Sequence, residues 1–173
     1  MYEKVYPQKR FNHTIAFLKK HLTNNESILD LGVENPFSTI MKNEGFLVVN
    51  TNGEDLDENQ SALSESKTNA VTAFEIFEHL LNPFTVLKQI KADKVFISVP
   101  LRLWFSPAYR SKTDSWDRHY HEFEAWQLDW LLEKTGWKIV DSTQFTNPVK
   151  KFGFRPLLRY FTNRYYIVYA VRK

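Results

Sequence analysis

The spacing of apolar and polar positions changes period several times along the chain. Phe11, Ile15, Phe17, Leu18 and Leu22 recur at helical spacing between about residues 8 and 22, with Lys19, Lys20 and His21 toward the end, which predicts an amphipathic helix. Ser27-Ile-Leu-Asp30-Leu-Gly32 reads as a short buried strand entering a glycine turn. Pro36 suits the first turn of a helix that runs to about Glu44, where Gly45 stops it. Phe46-Leu-Val-Val-Asn50 predicts a second strand, and residues 51–67 are polar, a loop with room for one helical turn. A third strand covers residues 70–74. A short helix opens at the Glu75 cluster, another begins at Pro83, and a fourth strand covers Val95 to Val99. Residues 101–122 show no period. Phe123 to Thr135 is a helix carrying Trp126, Leu128, Leu131 and Leu132 and closed by Gly136. A strand from Trp137 to Asp141, a short helix near Leu157 and a strand from Tyr165 to Val171 complete the pattern.

Strand and helix alternate, so the expected fold is α/β: a Rossmann-like, mostly parallel sheet flanked by helices, with an antiparallel C-terminal strand. At 173 residues, 43% hydrophobic and 16% aromatic, the chain reads as one domain with a substantial core. Its parts are an N-terminal helix within residues 1–25, a lid loop at 101–122 and a basic aromatic end at 145–173. The absence of cysteine excludes disulfides, thiolate metal sites and a cysteine nucleophile, and fits a reducing compartment. No apolar run reaches membrane-spanning length, and Met1-Tyr-Glu-Lys lacks a signal peptide's apolar stretch. The expectation is a soluble cytoplasmic protein with no membrane partner.

Net charge is +3, unevenly placed. After Asp141 no acidic residue follows, while Lys150, Lys151, Arg155, Arg159, Arg164, Arg172 and Lys173 all do, interleaved with aromatics. Such a segment can grip phosphate and stack on bases, which leaves a nucleic-acid partner open. It reads equally as a solvated rim on a core-packing aromatic strand.

The candidate chemistry lies at the end of the third strand. After Phe74 comes Glu75-Ile-Phe-Glu78-His79, and about forty positions later His119-Tyr-His121-Glu-Phe123. Helical spacing would put Glu75, Glu78 and His79 on one face. Two carboxylates and an imidazole there can serve as bases or as ligands for a divalent cation. The ordinary alternatives are a solvated glutamate and a packed or capping histidine. The loop 101–122 offers Trp104, Phe105, Tyr109, Trp116 and Tyr120 for stacking and Arg102, Arg110 and Arg118 for anions.

Over about Ser27 to Ser142 these pieces, in this order, resemble class I S-adenosylmethionine-dependent methyltransferases. Ile28-Leu-Asp30-Leu-Gly32 resembles the family's first motif, Glu78-His79-Leu80 and Ser98-Val-Pro100 its fourth and fifth strand ends, and Gly136-Trp137-Lys-Ile-Val140 its late stretch. The resemblance implies S-adenosylmethionine as cofactor and a small or medium polar acceptor methylated on O or N. It implies cofactor contacts among Asp30, Gly32, Glu34, Asn50, Asp55, Asp57, Phe74 and Glu75, with His79 and His121 as catalytic residues. The sequence departs from the family where further glycines and an acid at the second strand end are usual: it has Val33-Glu34-Asn35-Pro36 and Asn50-Thr51-Asn52. Asp55-Leu-Asp57 follows at once. The stretch from Gly32 to Glu78 is short by roughly one helix-plus-strand unit of about 20 residues, either lost or reduced to the polar loop. A narrower similarity, to metal-assisted O-methyltransferases including those acting on small RNAs, implies a divalent ion held by Glu75, Glu78, His79 and His121. The further alternative is a non-catalytic binding module of the same fold.

Overall fold

The computed structural model describes residues 8–148 and 152–173. Lys150 and Lys151 of the basic end lie outside them. Helix α1 (Gln8–His21) precedes strand β1 (Ser27–Asp30), helix α2 (Pro36–Asn43) and strand β2 (Leu47–Asn50). Helix α3 (Ser61–Glu65) and strand β3 (Ala70–Phe74) follow, then a single 3₁₀ turn, Phe77–His79. Helix α4 (Pro83–Gln89), strand β4 (Lys94–Pro100), helix α5 (Ala125–Lys134), strand β5 (Trp137–Thr146), helix α6 (Phe154–Leu158) and strand β6 (Asn163–Arg172) complete the chain.

The strands form one sheet in the order β2-β1-β3-β4-β6-β5. β1 pairs in parallel with both β2 and β3, β3 with β4, and β6 runs antiparallel to β4 and β5. The mostly parallel α/β fold expected from the alternation of elements is therefore present, with β6 as the reversed strand. Because side chains alternate along a strand, each strand feeds both faces of the sheet. Ile28, Ala70, Phe96, Ile167 and Tyr169 pack with Phe11, Leu18 and Met41 from α1 and α2. Leu29, Val71, Val95, Ile97 and Val168 pack on the other side with Leu63, Leu87, Leu128 and Leu132 from α3, α4 and α5.

Two local features position the site. The chain leaves β1 for β2 on one side and returns to β3 on the other, so the order of connection reverses between β1 and β3. In open α/β sheets the crevice beyond the carboxyl ends of such strands is where ligands bind. Second, residues 51–69 hold α3 and no strand, so the missing unit is reduced to one short helix and β2 is the sheet edge. Leu47 and Val49 stand 56% and 60% exposed there. Pro36 occupies the first position of α2, where a missing amide costs nothing. The α2 N-terminus is closed by Asn35, whose Oδ1 accepts from the Phe37 and Ser38 amides at 2.9 and 3.2 Å.

Candidate active site

Beyond the ends of β1 and β3 lie two adjoining cavities that share Gly32 and Ile76. One, about 320 Å³, is bounded by Arg10, Phe11, Asp30, Phe37, Phe74 and Glu75. The other, about 400 Å³, is bounded by Asp55, Leu56, Asp57, His79, Trp116 and Tyr120. Together they make a cleft with the Gly32 turn at its middle. Gly32 has φ +101°, a conformation that L side chains rarely adopt. Its amide donates to Thr51 Oγ1 at 2.8 Å, which draws the segment after β2 against the turn. Gly53 lets that segment come closer still, since a Cβ there would meet Val33 Cγ1 at 2.7 Å.

Asp30 closes β1 and borders the cleft, but the residue is only 3% exposed and both carboxylate oxygens are hydrogen-bonded. Thr72 Oγ1 donates to one oxygen at 2.7 Å; Ser38 Oγ and Asn50 Nδ2 donate to the other at 2.8 and 3.0 Å. One carboxylate thus ties β1 to α2, β2 and β3. Burial pushes its pKa up, against the pull of these donors. Asn50, named from sequence as a cofactor contact, instead serves this network and donates also to the Gly32 carbonyl at 3.3 Å. Glu34 is likewise displaced from the cleft: it pairs with Lys42 at 2.8 Å on the outer side of α2. Asp55 and Asp57 do border the cleft. Asp57 spends both oxygens on the amides of Leu81 and Asn82, at 2.7 and 2.8 Å, and so anchors the turn after the 3₁₀ segment.

The expected shared helical face of Glu75, Glu78 and His79 does not form. Glu75 has φ +59° and precedes the 3₁₀ turn, so helical spacing does not apply to it. Its side chain turns to Arg10 at 3.0 Å and accepts from Ser98 Oγ at 2.8 Å. Glu78 is buried, with Oε2 lacking a hydrogen-bond partner among the described residues. Burial first, and the Glu75 charge second, raise its pKa well above the ordinary carboxylate range. His79 Nδ1 lies 3.0 Å from the Arg118 carbonyl. A carbonyl only accepts, so Nδ1 carries a proton and Nε2 is the ring nitrogen left to accept one.

The loop 101–122 folds over this turn. At its neck, Arg102 N donates to the Phe123 carbonyl at 2.8 Å, and Leu101 N to that of Arg164 at 2.7 Å. At its far end, Tyr120 and His121 amides donate to the Glu78 carbonyl at 2.8 and 3.2 Å. Trp116 and Tyr120 reach the cleft; Trp104, Phe105 and Arg102 border neither cavity. The histidine brought to His79 is His119, not His121: the two rings stand 4.8 Å apart. Burial and then the His79 charge lower the His119 pKa. His121 borders neither cavity, and its Nε2 is buried without a hydrogen-bond partner among the described residues. The cation set expected from sequence is therefore not assembled. Among the described residues, the ligand atoms that converge, all within 4.8 Å, belong to Glu78, His79 and His119.

In the C-terminal segment, Arg164 donates to the Leu101 carbonyl at 2.6 Å, while Arg172 donates to that of Ile90 and lies 4.1 Å over the Trp137 ring. These cations serve the fold. Among the described residues no helix is long and apolar enough to cross a membrane.

A family of methyltransferase domains matches residues 5–142. No curated protein sequence matches the chain. A SAM-dependent methyltransferase from Archaeoglobus fulgidus superposes with a TM-score of 0.65 at 14% identity, over 96% of this chain and 94% of that one. The 1,6-didemethyltoxoflavin-N1-methyltransferase of Burkholderia thailandensis, solved with its acceptor and S-adenosylhomocysteine, gives 0.61 at 18% identity, over 94% and 78%. A methyltransferase in complex with the Haloferax volcanii Trm112 activator gives 0.67 at 12% identity, over 95% and 90%. With the cleft at the β1/β3 reversal and the Gly32 turn at its centre, the chain belongs to the methyltransferase domain family, as a class I S-adenosylmethionine-dependent methyltransferase.

Proposed function

We propose that this enzyme methylates an O or N atom of a small or medium polar acceptor bound between the 3₁₀ turn and the lid loop. The observation that carries the reading is the continuity of the cleft from the Gly32 turn to His79, Trp116 and Tyr120. Two surfaces meet there: a glycine turn that a ligand can approach closely, and an imidazole under a loop rich in aromatic side chains. That the Burkholderia thailandensis neighbour acts on a small N-acceptor agrees with this size class.

The residues present fit the cofactor. Gly32 offers a turn without a Cβ, Asp55 and Leu56 a polar and an apolar wall, and Phe74 and Glu75 the opposite half. Asp30 holds the turn from beneath. Bound S-adenosylmethionine supplies a methyl group on a sulfonium, open to displacement by a nucleophile. The protein contributes position and a proton acceptor, without a covalent enzyme intermediate. His79, with Nδ1 fixed on the Arg118 carbonyl, presents Nε2 to receive the acceptor's proton. Trp116 and Tyr120 cover the acceptor and exclude water.

A second reading rests on one specific observation, the convergence of Glu78, His79 and His119. A buried carboxylate beside two imidazoles, its Oε1 3.8 Å from His79 Nε2, suits a divalent ion, which would activate an acceptor hydroxyl. Titration calorimetry with MnCl₂ and ZnCl₂ separates the two. Binding that His119→Ala abolishes supports the metal reading, and no binding leaves the imidazole reading alone.

The main test is methyl transfer from S-adenosylmethionine to a panel of hydroxylated and aminated aromatic and aliphatic acceptors, read by S-adenosylhomocysteine release. His79→Ala should lower the rate about 10²-fold or more. An undiminished rate in that variant rejects the assigned role. No turnover with any acceptor, despite cofactor binding, favours the non-catalytic module.

A further inference from the structure

The lid loop encloses a second concavity whose charge is one-sided. Tyr109, Arg110, Lys112, Arg118, His119 and Tyr120 border about 540 Å³. Three of the bordering side chains are cationic, none is acidic, and the three cations make no ion pair with any described residue. The acids nearest in sequence are turned to other work. Glu122 accepts from the Tyr109 amide at 2.8 Å and lies 3.6 Å from His119 Nδ1, Asp117 accepts from the Tyr109 hydroxyl, and Asp114 accepts from the Trp116 amide at 2.9 Å.

The concavity is held in shape and held against the active site. Tyr109 bridges the two limbs of the loop, its ring 4.5 Å from that of His119. Arg118 is fixed through its carbonyl to His79, and Tyr120 through its amide to Glu78. Tyr120 borders both this concavity and the cleft, and the His79 and His119 rings stand 4.8 Å apart where the two spaces meet. A molecule seated among the cations would therefore place its other end beside His79.

We propose that this concavity is an oxyanion subsite, and that the acceptor is an aromatic or similarly planar molecule bearing a carboxylate or phosphate. The inference rests on the methyltransferase reading of the adjoining cleft. Three like charges around one space repel one another, and an anion relieves that repulsion while gaining charge-assisted hydrogen bonds from two planar guanidinium forks. Tyr109 and Tyr120 supply flanking rings for a planar body. The volume matches a small-molecule site. Arg164 and Arg172 of the basic C-terminal segment are committed to backbone carbonyls and add no free charge to this subsite.

The test uses phenyl phosphate and benzoate as probes and phenol as their neutral counterpart, titrated with and without S-adenosylhomocysteine. The proteins are the wild type and the triple variant Arg110→Ser/Lys112→Ser/Arg118→Ser. All three positions are exposed, so the fold should persist, and unchanged S-adenosylhomocysteine binding checks it. At least one anion should bind the wild type about tenfold or more tightly than phenol, equivalent to about 1.4 kcal/mol, and the triple variant should lose that preference. Which anion wins identifies phosphate or carboxylate. Anions that bind no better than phenol, or a preference that survives in the variant, overturn the subsite. So does binding of a single-stranded oligoribonucleotide that falls steeply with salt and is lost in the variant, while neither small anion binds. A wild type that binds the anion but not S-adenosylhomocysteine strikes the cofactor reading and leaves the subsite standing.

Discussion

Oε2 of Glu75 lies 3.0 Å from Nη1 of Arg10, so the first helix is fastened to the carboxyl end of a central strand. Both side chains are 14% exposed, and Glu75 holds φ +59° where a residue without a Cβ would be more comfortable. The ion pair and the Ser98 hydrogen bond hold that residue in place, and with it the wall of one half of the cleft.

Arg10→Met should destabilise the protein by about 2 kcal/mol, because it leaves a largely buried carboxylate without its cation. The double variant Arg10→Met/Glu75→Gln should recover part of that loss. Urea denaturation of the four proteins in the cycle gives the coupling energy. Purely additive effects would show that the contact carries no stability.

Asp30 separates charge from connectivity. Asp30→Ala strands donors on Thr72, Ser38 and Asn50 and should cost about 2–4 kcal/mol. Asp30→Asn keeps an acceptor for one side and an amide that Thr72 can receive, and removes a charge that burial disfavours. It should retain most of the stability. Equal losses from both substitutions would mean the negative charge itself is required.

This residue also shows what sequence conveys. The strand, glycine turn and helix after it were legible because each has its own local signature: apolar run, Gly32, and Pro36 at a helix start. The partners of Asp30 were not, because Thr72 lies 42 positions away and pairs only through strand order. The histidines make the same point. His119 and His121 are two residues apart in a segment with no periodicity, and only the path of the lid decides which one meets His79. Glu75 misled because spacing arguments assume one continuous helix, and its positive φ breaks that continuity. The signal for His119 was present in the His-Tyr-His run, but nothing local chose between its two ends.

Asp55 and Asp57 should behave differently. Asp57→Ala removes the acceptor of two amides at the turn after the 3₁₀ segment and should cost about 1–3 kcal/mol in stability. Asp55→Ala should leave thermal unfolding nearly unchanged while weakening S-adenosylhomocysteine binding. A calorimetric comparison of the two variants checks both; an Asp55→Ala protein that binds as tightly as wild type would make that residue a solvated turn.

The first helix is also held to β5 by Asp141, which accepts from Lys20 and meets His21, each at 2.7 Å. The Lys20 bond first, then the His21 bond, lower the Asp141 pKa. A depressed carboxylate adds stability above its unfolded pKa of about 3.9 and loses it as pH falls through the lower folded value. The melting temperature should therefore fall below about pH 4. Asp141→Asn should lower the neutral-pH plateau slightly, by less than about 1 kcal/mol, and flatten part of that acid limb. An unchanged acid limb in the variant would show that other carboxylates govern it.

The central claim is that the cleft around the Gly32 turn binds the cofactor, and isothermal titration with S-adenosylhomocysteine measures it directly. Wild type should bind well below millimolar ligand. Gly32→Val, which places a branched side chain on a turn at φ +101° with Ile76 Cδ1 3.8 Å from the new Cβ, should weaken binding about tenfold or more. Absence of wild-type binding at millimolar ligand, or a Gly32→Val protein that stays folded and binds equally well, would contradict the account.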